Sequence, residues 1–161
     1  LGAMTLPTLE VIRAAAKIAY TISVDDAVSK NIKLRSVQFC NVPRSAVLIG
    51  TNTPSTDKGE YYDADVVNID NDKTYSEVFY MLENCQGEVE SIVDPKDKSP
   101  ENAPECATYM RIMAEGADKI LEYTVYLGEN STSNFDVRRN TKHTMNLLSK
   151  EKMKLTIGQS V

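Results

Sequence analysis

Apolar and polar residues alternate along much of this chain with a period of two, the signature of half-buried β-strands. Ile18, Tyr20, Ile22 and Val24 form one such series, and Lys17–Val24 is predicted to be the first strand. Ala14, Ala15 and Ala16 just before it favour a short helical start. A second strand runs through Ile32, Leu34, Val37 and Phe39, with a phase slip at Arg35–Ser36 that predicts a bulge. Asn41–Val42–Pro43 is a turn signal, Ala46–Ile49 reads as a short apolar strand stopped by Gly50, and 51–59 is an exposed loop. Tyr61–Ile69 is weakly strand-like, and Asp70–Lys73 is a turn. Thr74–Leu82, rich in aromatic and β-branched residues, is predicted as a strand.

Glu83–Glu105 is the longest irregular segment. Ala107–Ala114 and Lys119–Leu127 alternate on either side of a turn at Glu115–Asp118 and predict a hairpin. Lys142–Leu148 and Met153–Ile157 close the chain as strands. No long stretch carries helical periodicity. Short strands separated by turn signals every 8–15 residues or so point to an antiparallel β-sandwich or barrel.

Composition narrows the function classes. The 161 residues suit one domain, and the apolar (42%) and charged (25%) fractions are those of a globular chain. A net charge of −5 argues against generic nucleic-acid binding. Basic residues do gather between Arg138 and Lys154, which reads as a solvated strand face. No apolar run approaches the roughly 20 residues of a membrane helix, and no signal peptide is visible. Residues 1–8 read as a tag remnant or a trimmed terminus.

Candidate chemistry is sparse. The single histidine, His143, falls in mid-strand and is expected to face solvent. The three cysteines, Cys40, Cys85 and Cys106, fit no complete disulfide framework and no zinc spacing. Cys85 and Cys106 flank one loop and are the candidate disulfide, although free thiols are the preferred reading. Glu83 and Glu88 beside Cys85 disfavour a thiolate nucleophile. The Asp70–Asp72 and Asp94–Asp97 clusters lack a calcium-loop pattern and read as turns. There is no phosphate-binding glycine loop and no nucleophile elbow. Asn130-Ser131-Thr132 is formally a glycosylation acceptor. No cofactor, metal or catalytic residue is expected, and the chain is not expected to be an enzyme.

Four stretches, in order, carry a family resemblance: RAAAKIAYTISV (Arg13–Val24), VQFCNVPRSAVLIG (Val37–Gly50), FYMLENCQG (Phe79–Gly87), and APECATYMRI followed by EYTVYLGENSTSNFDVRRNTKHTMNL. Together they resemble the fimbrillin-type subunits of Bacteroidetes pili, the type V pilus or Mfa-like superfamily. The resemblance implies one all-β domain over residues 1–161. That domain would be an antiparallel, Greek-key (transthyretin-like) sandwich with short helical turns and one long irregular loop. It also implies a fimbrial structural or accessory subunit, exported as a lipoprotein to the outer face of the outer membrane. Such a subunit contributes to adhesion and assembles with other pilus subunits, or with itself, by strand addition. Arg13–Ala14 is then a candidate protease-processing point. The competing reading is a carbohydrate-binding sandwich of a glycan-uptake system, with Tyr61 and Tyr62 as an exposed platform.

Overall fold

The structure is a computed structural model and describes residues 12–25, 32–70, 73–149 and 153–160. Among the described residues twelve strands follow one another: β1 (Ala15–Val24), β2 (Lys33–Cys40), β3 (Val42–Pro43), β4 (Tyr61–Tyr62), β5 (Val67–Asn68), β6 (Thr74–Leu82), β7 (Asn84–Glu88), β8 (Tyr109–Glu115), β9 (Ile120–Tyr126), β10 (Asn134–Val137), β11 (Lys142–Ser149) and β12 (Met153–Ser160). Single turns of 3-10 helix lie at Lys58–Glu60 and Pro95–Asp97. One sheet has the order β12-β11-β1-β6 and the other β5-β2-β8-β9, with small two-stranded pairings β3-β4 and β10-β7.

The two larger sheets close over a shared apolar core, which makes the fold an all-β sandwich. From one side β1 contributes Ala16, Ile18, Tyr20, Ile22 and Val24, one residue in two. From the other side β2 and β8 contribute Leu34, Val37, Phe39, Met110 and Ile112. Phe39 joins the layers directly: it stacks on Phe79 at 4.1 Å and meets Tyr20 edge-on at 5.4 Å. Burying each such side chain contributes about 1.5–3 kcal/mol. A satellite core of Ile92, Ala107, Tyr126 and Phe135 lies under the long connection before β8.

β1 begins at Ala15 rather than Lys17, because Ala16 fills an inward position and tertiary burial overrides the helical preference of the alanine triplet. The bulge forms where the apolar phase slips: the β2–β8 register shifts between Leu34 and Ser36. One pairing departs from the antiparallel pattern, since β1 and β11 run parallel from Lys17↔Lys142 to Val24↔Ser149. A parallel neighbour needs a long crossover, and here the whole second sheet lies between the two strands in sequence.

Two predicted segments are corrected. Ala46–Ile49 is not a strand but a bend with Val47, Leu48 and Ile49 exposed. Glu83–Glu105 is not wholly irregular, because β7 pairs with β10 within it. Residues 1–8, and 71–72 of the predicted turn, lie outside the described residues. Among the described residues no helix is long and apolar enough to cross a membrane.

Candidate functional site

Among the described residues β6 is the outermost strand of its sheet, paired on one side only. In an antiparallel ladder alternate residues turn their backbone groups away from the partner. The Val78 N–H donates to the neighbouring Glu77 carboxylate at 3.3 Å. Val78 and Tyr80 stand exposed on this strand. A groove of about 470 Å³ runs beneath it, with Tyr20, Phe39, Phe79 and Val67 among its walls. The groove and the free edge together offer apolar pockets and unpaired backbone groups, the two things an added strand uses. Burial, with Tyr75 and Glu77 beside it, raises the Tyr20 hydroxyl pKa.

The opposite feature is a rigid polar corner at the β9–β11 end. Asn130 Oδ1 accepts from the Thr132 and Asn134 N–H groups at 3.0 and 2.9 Å, which folds the glycosylation-like triplet into a side-chain-closed turn. Asn134 Oδ1 accepts from the Glu129 and Asp136 N–H groups, both at 2.8 Å. Asp136 accepts from the Gly87 N–H at 2.6 Å and pairs with Arg138. Lys98 is buried and donates to the Asn130 and Asn134 carbonyls at 2.8 and 2.6 Å, with its ammonium over the Phe135 ring at 4.8 Å. Burial lowers its pKa to about 8. At the base Asn84, also buried, donates to the Cys106 carbonyl and to Thr108 Oγ1 at 2.9 and 2.8 Å. Asn84, Lys98, Asn130, Asn134 and Asp136 each satisfy backbone groups of their own chain, so the corner is built to hold a shape.

The residues singled out from sequence fall as follows. Arg13 is exposed two residues before β1, its Nε donating to Asn140 Oδ1 at 3.2 Å, with the half-buried Ala14 beside it. Cys85 and Cys106 are free thiols, as is Cys40, so the candidate disulfide is absent. Burial, then Asp136 and Glu83, push the Cys85 thiol up to about 12. Tyr61 and Tyr62 do not form a platform, because adjacent strand residues point to opposite faces. Tyr61 is buried, donating to the Ser55 carbonyl at 2.7 Å and accepting from Gln86, while only Tyr62 is exposed, under the Arg44 guanidinium.

His143 corrects a further expectation: it is buried, not solvent-facing. It meets Thr141 Oγ1 at 3.1 Å, and its Nδ1 has no hydrogen-bond partner. Alternation puts it on one face of β11 with buried Met145 and Leu147, while Lys142 and Asn146 on the other face are exposed; that the buried layer extends as far as His143 is what the tertiary structure adds. Burial depresses its pKa, opposed by the Gly128 backbone and Glu129. The unfolded chain therefore takes up a proton near the ordinary value of 6.5 while the folded chain does not. Stability is expected to be fully present above that pH and to fall as the pH drops through it toward the folded pKa. His143→Leu should remove this part of the acid slope in urea titrations between pH 7 and 4.5 or so; an unchanged slope would refute it.

Comparison with known proteins gives a fold likeness. A family model described as a domain of unknown function (DUF4906) matches residues 79–147. No curated protein matches the sequence. The tip fimbrial protein Mfa3 from Porphyromonas gingivalis, with a C-terminal truncation, aligns with a TM-score of 0.57 at 14% identity, over 92% of this chain and 51% of its own. A candidate cell adhesion protein from Parabacteroides distasonis aligns at 0.62 and 13% identity, over 92% and 52%. Another from Bacteroides uniformis aligns at 0.54 and 11%, over 92% and 51%. The chain thus spans about half the length of these structures. The described sandwich, with its one-sided β6 edge and closed polar corner, has the fold of fimbrial and adhesion-type proteins of the Bacteroidetes, in line with the resemblance carried by its sequence.

Proposed function

We propose that this chain is a non-enzymatic structural or accessory subunit of cell-surface fimbriae that contributes to adhesion. Its partners are other pilus subunits or further copies of itself, joined by strand addition. Its place is the outer face of the outer membrane, reached through a lipid anchor on the precursor. The observation that carries the reading is the β6 edge: a strand paired on one side, with exposed Val78 and Tyr80, above an apolar groove in a fimbrial-type fold. Arg13 is the proposed processing point. Cleavage between Arg13 and Ala14 leaves β1 whole, since β1 starts at Ala15.

The test is self-association before and after digestion with an Arg-specific protease, read by light scattering and by electron microscopy. The processed protein is expected to retain its fold, begin at Ala14 and form oligomers. Lysines guard natural sheet edges against pairing. A Val78→Lys, Tyr80→Lys double variant should therefore abolish the oligomers while changing stability by less than about 0.5 kcal/mol per site. Oligomers that survive these lysines, or a wild-type protein that stays monomeric with and without cleavage, would sink the reading.

A further inference from the structure

The basic residues that gather between Arg138 and Lys154 in the sequence divide in the fold. Arg138 pairs with Glu129 and Asp136, and Arg139 with Glu83. Lys142 has no carboxylate partner among the described residues. It stands exposed on β11, and the parallel pairing sets it beside Lys17 of β1, whose other neighbour in register is Tyr80 of β6. Ile18 and His143, next to the two lysines in sequence, are buried, so Lys142, Lys17 and Tyr80 form one row on the outward face of the sheet. Tyr80 is 61% exposed, and the Lys17 ammonium lies over its ring at 5.9 Å.

Charge on this sheet departs from the rest of the protein. The chain has 23 acidic residues and a net charge of −5, yet β12, β11, β1 and β6 together contain a single one, Glu77. Glu77 lines the groove beneath β6, on the side away from the lysines. Among the described residues, none that faces outward on β1, β6 or β11 is acidic. Two ammonium groups at neighbouring positions repel, and no carboxylate on the face offsets that repulsion. An anion laid across the row does so.

The rest of the face selects the kind of anion. The next row holds Thr144, Ala19 and Val78, and the one after it Asn146, Thr21 and Ser76, with the last two hydroxyls 2.9 Å apart. These short side chains leave the face flat and supply hydroxyl and amide groups. The exposed tyrosine ring suits the apolar face of a pyranose, and the hydroxyls and amide suit its polar edges. The lysine–tyrosine row spans roughly 10 Å, two inter-strand spacings, the scale of a short run of sugar units. A nucleic-acid duplex needs many more phosphate contacts than two lysines supply, and the net negative charge repels it.

We propose that the outward face of β11, β1 and β6, centred on Lys142, Lys17 and Tyr80, binds an acidic polysaccharide, with carboxylates of the polymer on the two lysines and a sugar ring on Tyr80. The proposal does not depend on strand addition at β6, which uses backbone groups of that strand rather than this row of side chains.

The test measures binding of polygalacturonate to the protein at low ionic strength, with neutral dextran and duplex DNA as comparison polymers. Polygalacturonate is expected to bind and neutral dextran not to, and added salt should weaken the binding because the charges are exposed. Lys17→Gln combined with Lys142→Gln should weaken it about tenfold, the effect of two exposed charge contacts. Arginine at both positions should restore it, and Tyr80→Ser should weaken it with the charge unchanged. Lys33→Gln combined with Lys119→Gln removes the same charge from exposed positions elsewhere and should leave binding within about twofold. Absence of polygalacturonate binding, equal losses from the two lysine pairs, or dextran or duplex DNA bound as tightly as polygalacturonate would each overturn the proposal.

Discussion

Replacing Gly128 by alanine should cost about 4 kcal/mol or more, or prevent folding, the range reserved for severe steric conflicts. A Cβ on Gly128 would lie 1.9 Å from the Asn134 carbonyl oxygen and 2.7 Å from its carbon. Both are backbone atoms, so no rotamer change relieves the clash. Nor can Asn134 retreat. Its side chain accepts from Glu129 and Asp136, its N–H donates to Asn130, and its carbonyl accepts from buried Lys98. Moving it would break the corner and lift Phe135 from the satellite core. Gly87 is the control. It has φ +82°, yet an added Cβ meets nothing within 4 Å. Its alanine variant should lose only the left-handed torsional cost of about 1–2 kcal/mol. Urea denaturation of the two variants separates clash from torsion, and equal losses would contradict this account.

The second large effect is expected at Glu83. Its carboxylate accepts from Arg139 Nε and Nη2 at 3.2 and 3.1 Å and from the Arg139 N–H at 3.1 Å. The two side chains are only 12% and 9% exposed. Removing one charge strands the other in a poorly hydrated site, so Glu83→Ala should cost about 3–5 kcal/mol. Glu83→Leu combined with Arg139→Met should cost less than the sum of its single changes, because no lone charge remains. The singles should also accelerate hydrogen exchange at 47–49, since the pair anchors the Leu48 carbonyl. A single change costing under about 1 kcal/mol, or strictly additive changes, would show that the pair does not hold the corner.

Both sites lie within regions that carry the family resemblance, and the sequence shows one of them more clearly than the other. Gly128 followed by Asn, Ser and Thr advertises a turn, because those side chains close turns with their own backbone. It does not reveal that Asn134 returns to within contact of Gly128. β7 was missed for a related reason. Asn-Cys-Gln-Gly-Glu has poor strand propensity, and it becomes a strand only because β10 lies beside it and Asp136 binds the Gly87 N–H. Phe135 and Val137 stand two apart on β10, a spacing that by itself puts both on one face, yet they serve two cores, Phe135 the satellite one and Val137 the main one. Tyr61 and Tyr62 looked like a platform because adjacency in sequence hides the alternation of strand faces.

By itself the sequence determined what is local. It set the alternation that makes β1, β8 and β9, and the aromatic and β-branched content that makes β6, which spans Thr74–Leu82 as predicted. It also set the phase slip that becomes the β2 bulge and the turn chemistry of the β8–β9 hairpin. These features arise from contacts between residues one to a few positions apart, and composition records such contacts. Tertiary structure alone decided the parallel β1–β11 pairing, the open side of β6, the burial of His143 and the exposure of Val47–Ile49. Each of these depends on which distant segment lies alongside, and strand periodicity says which face is apolar without saying what covers it.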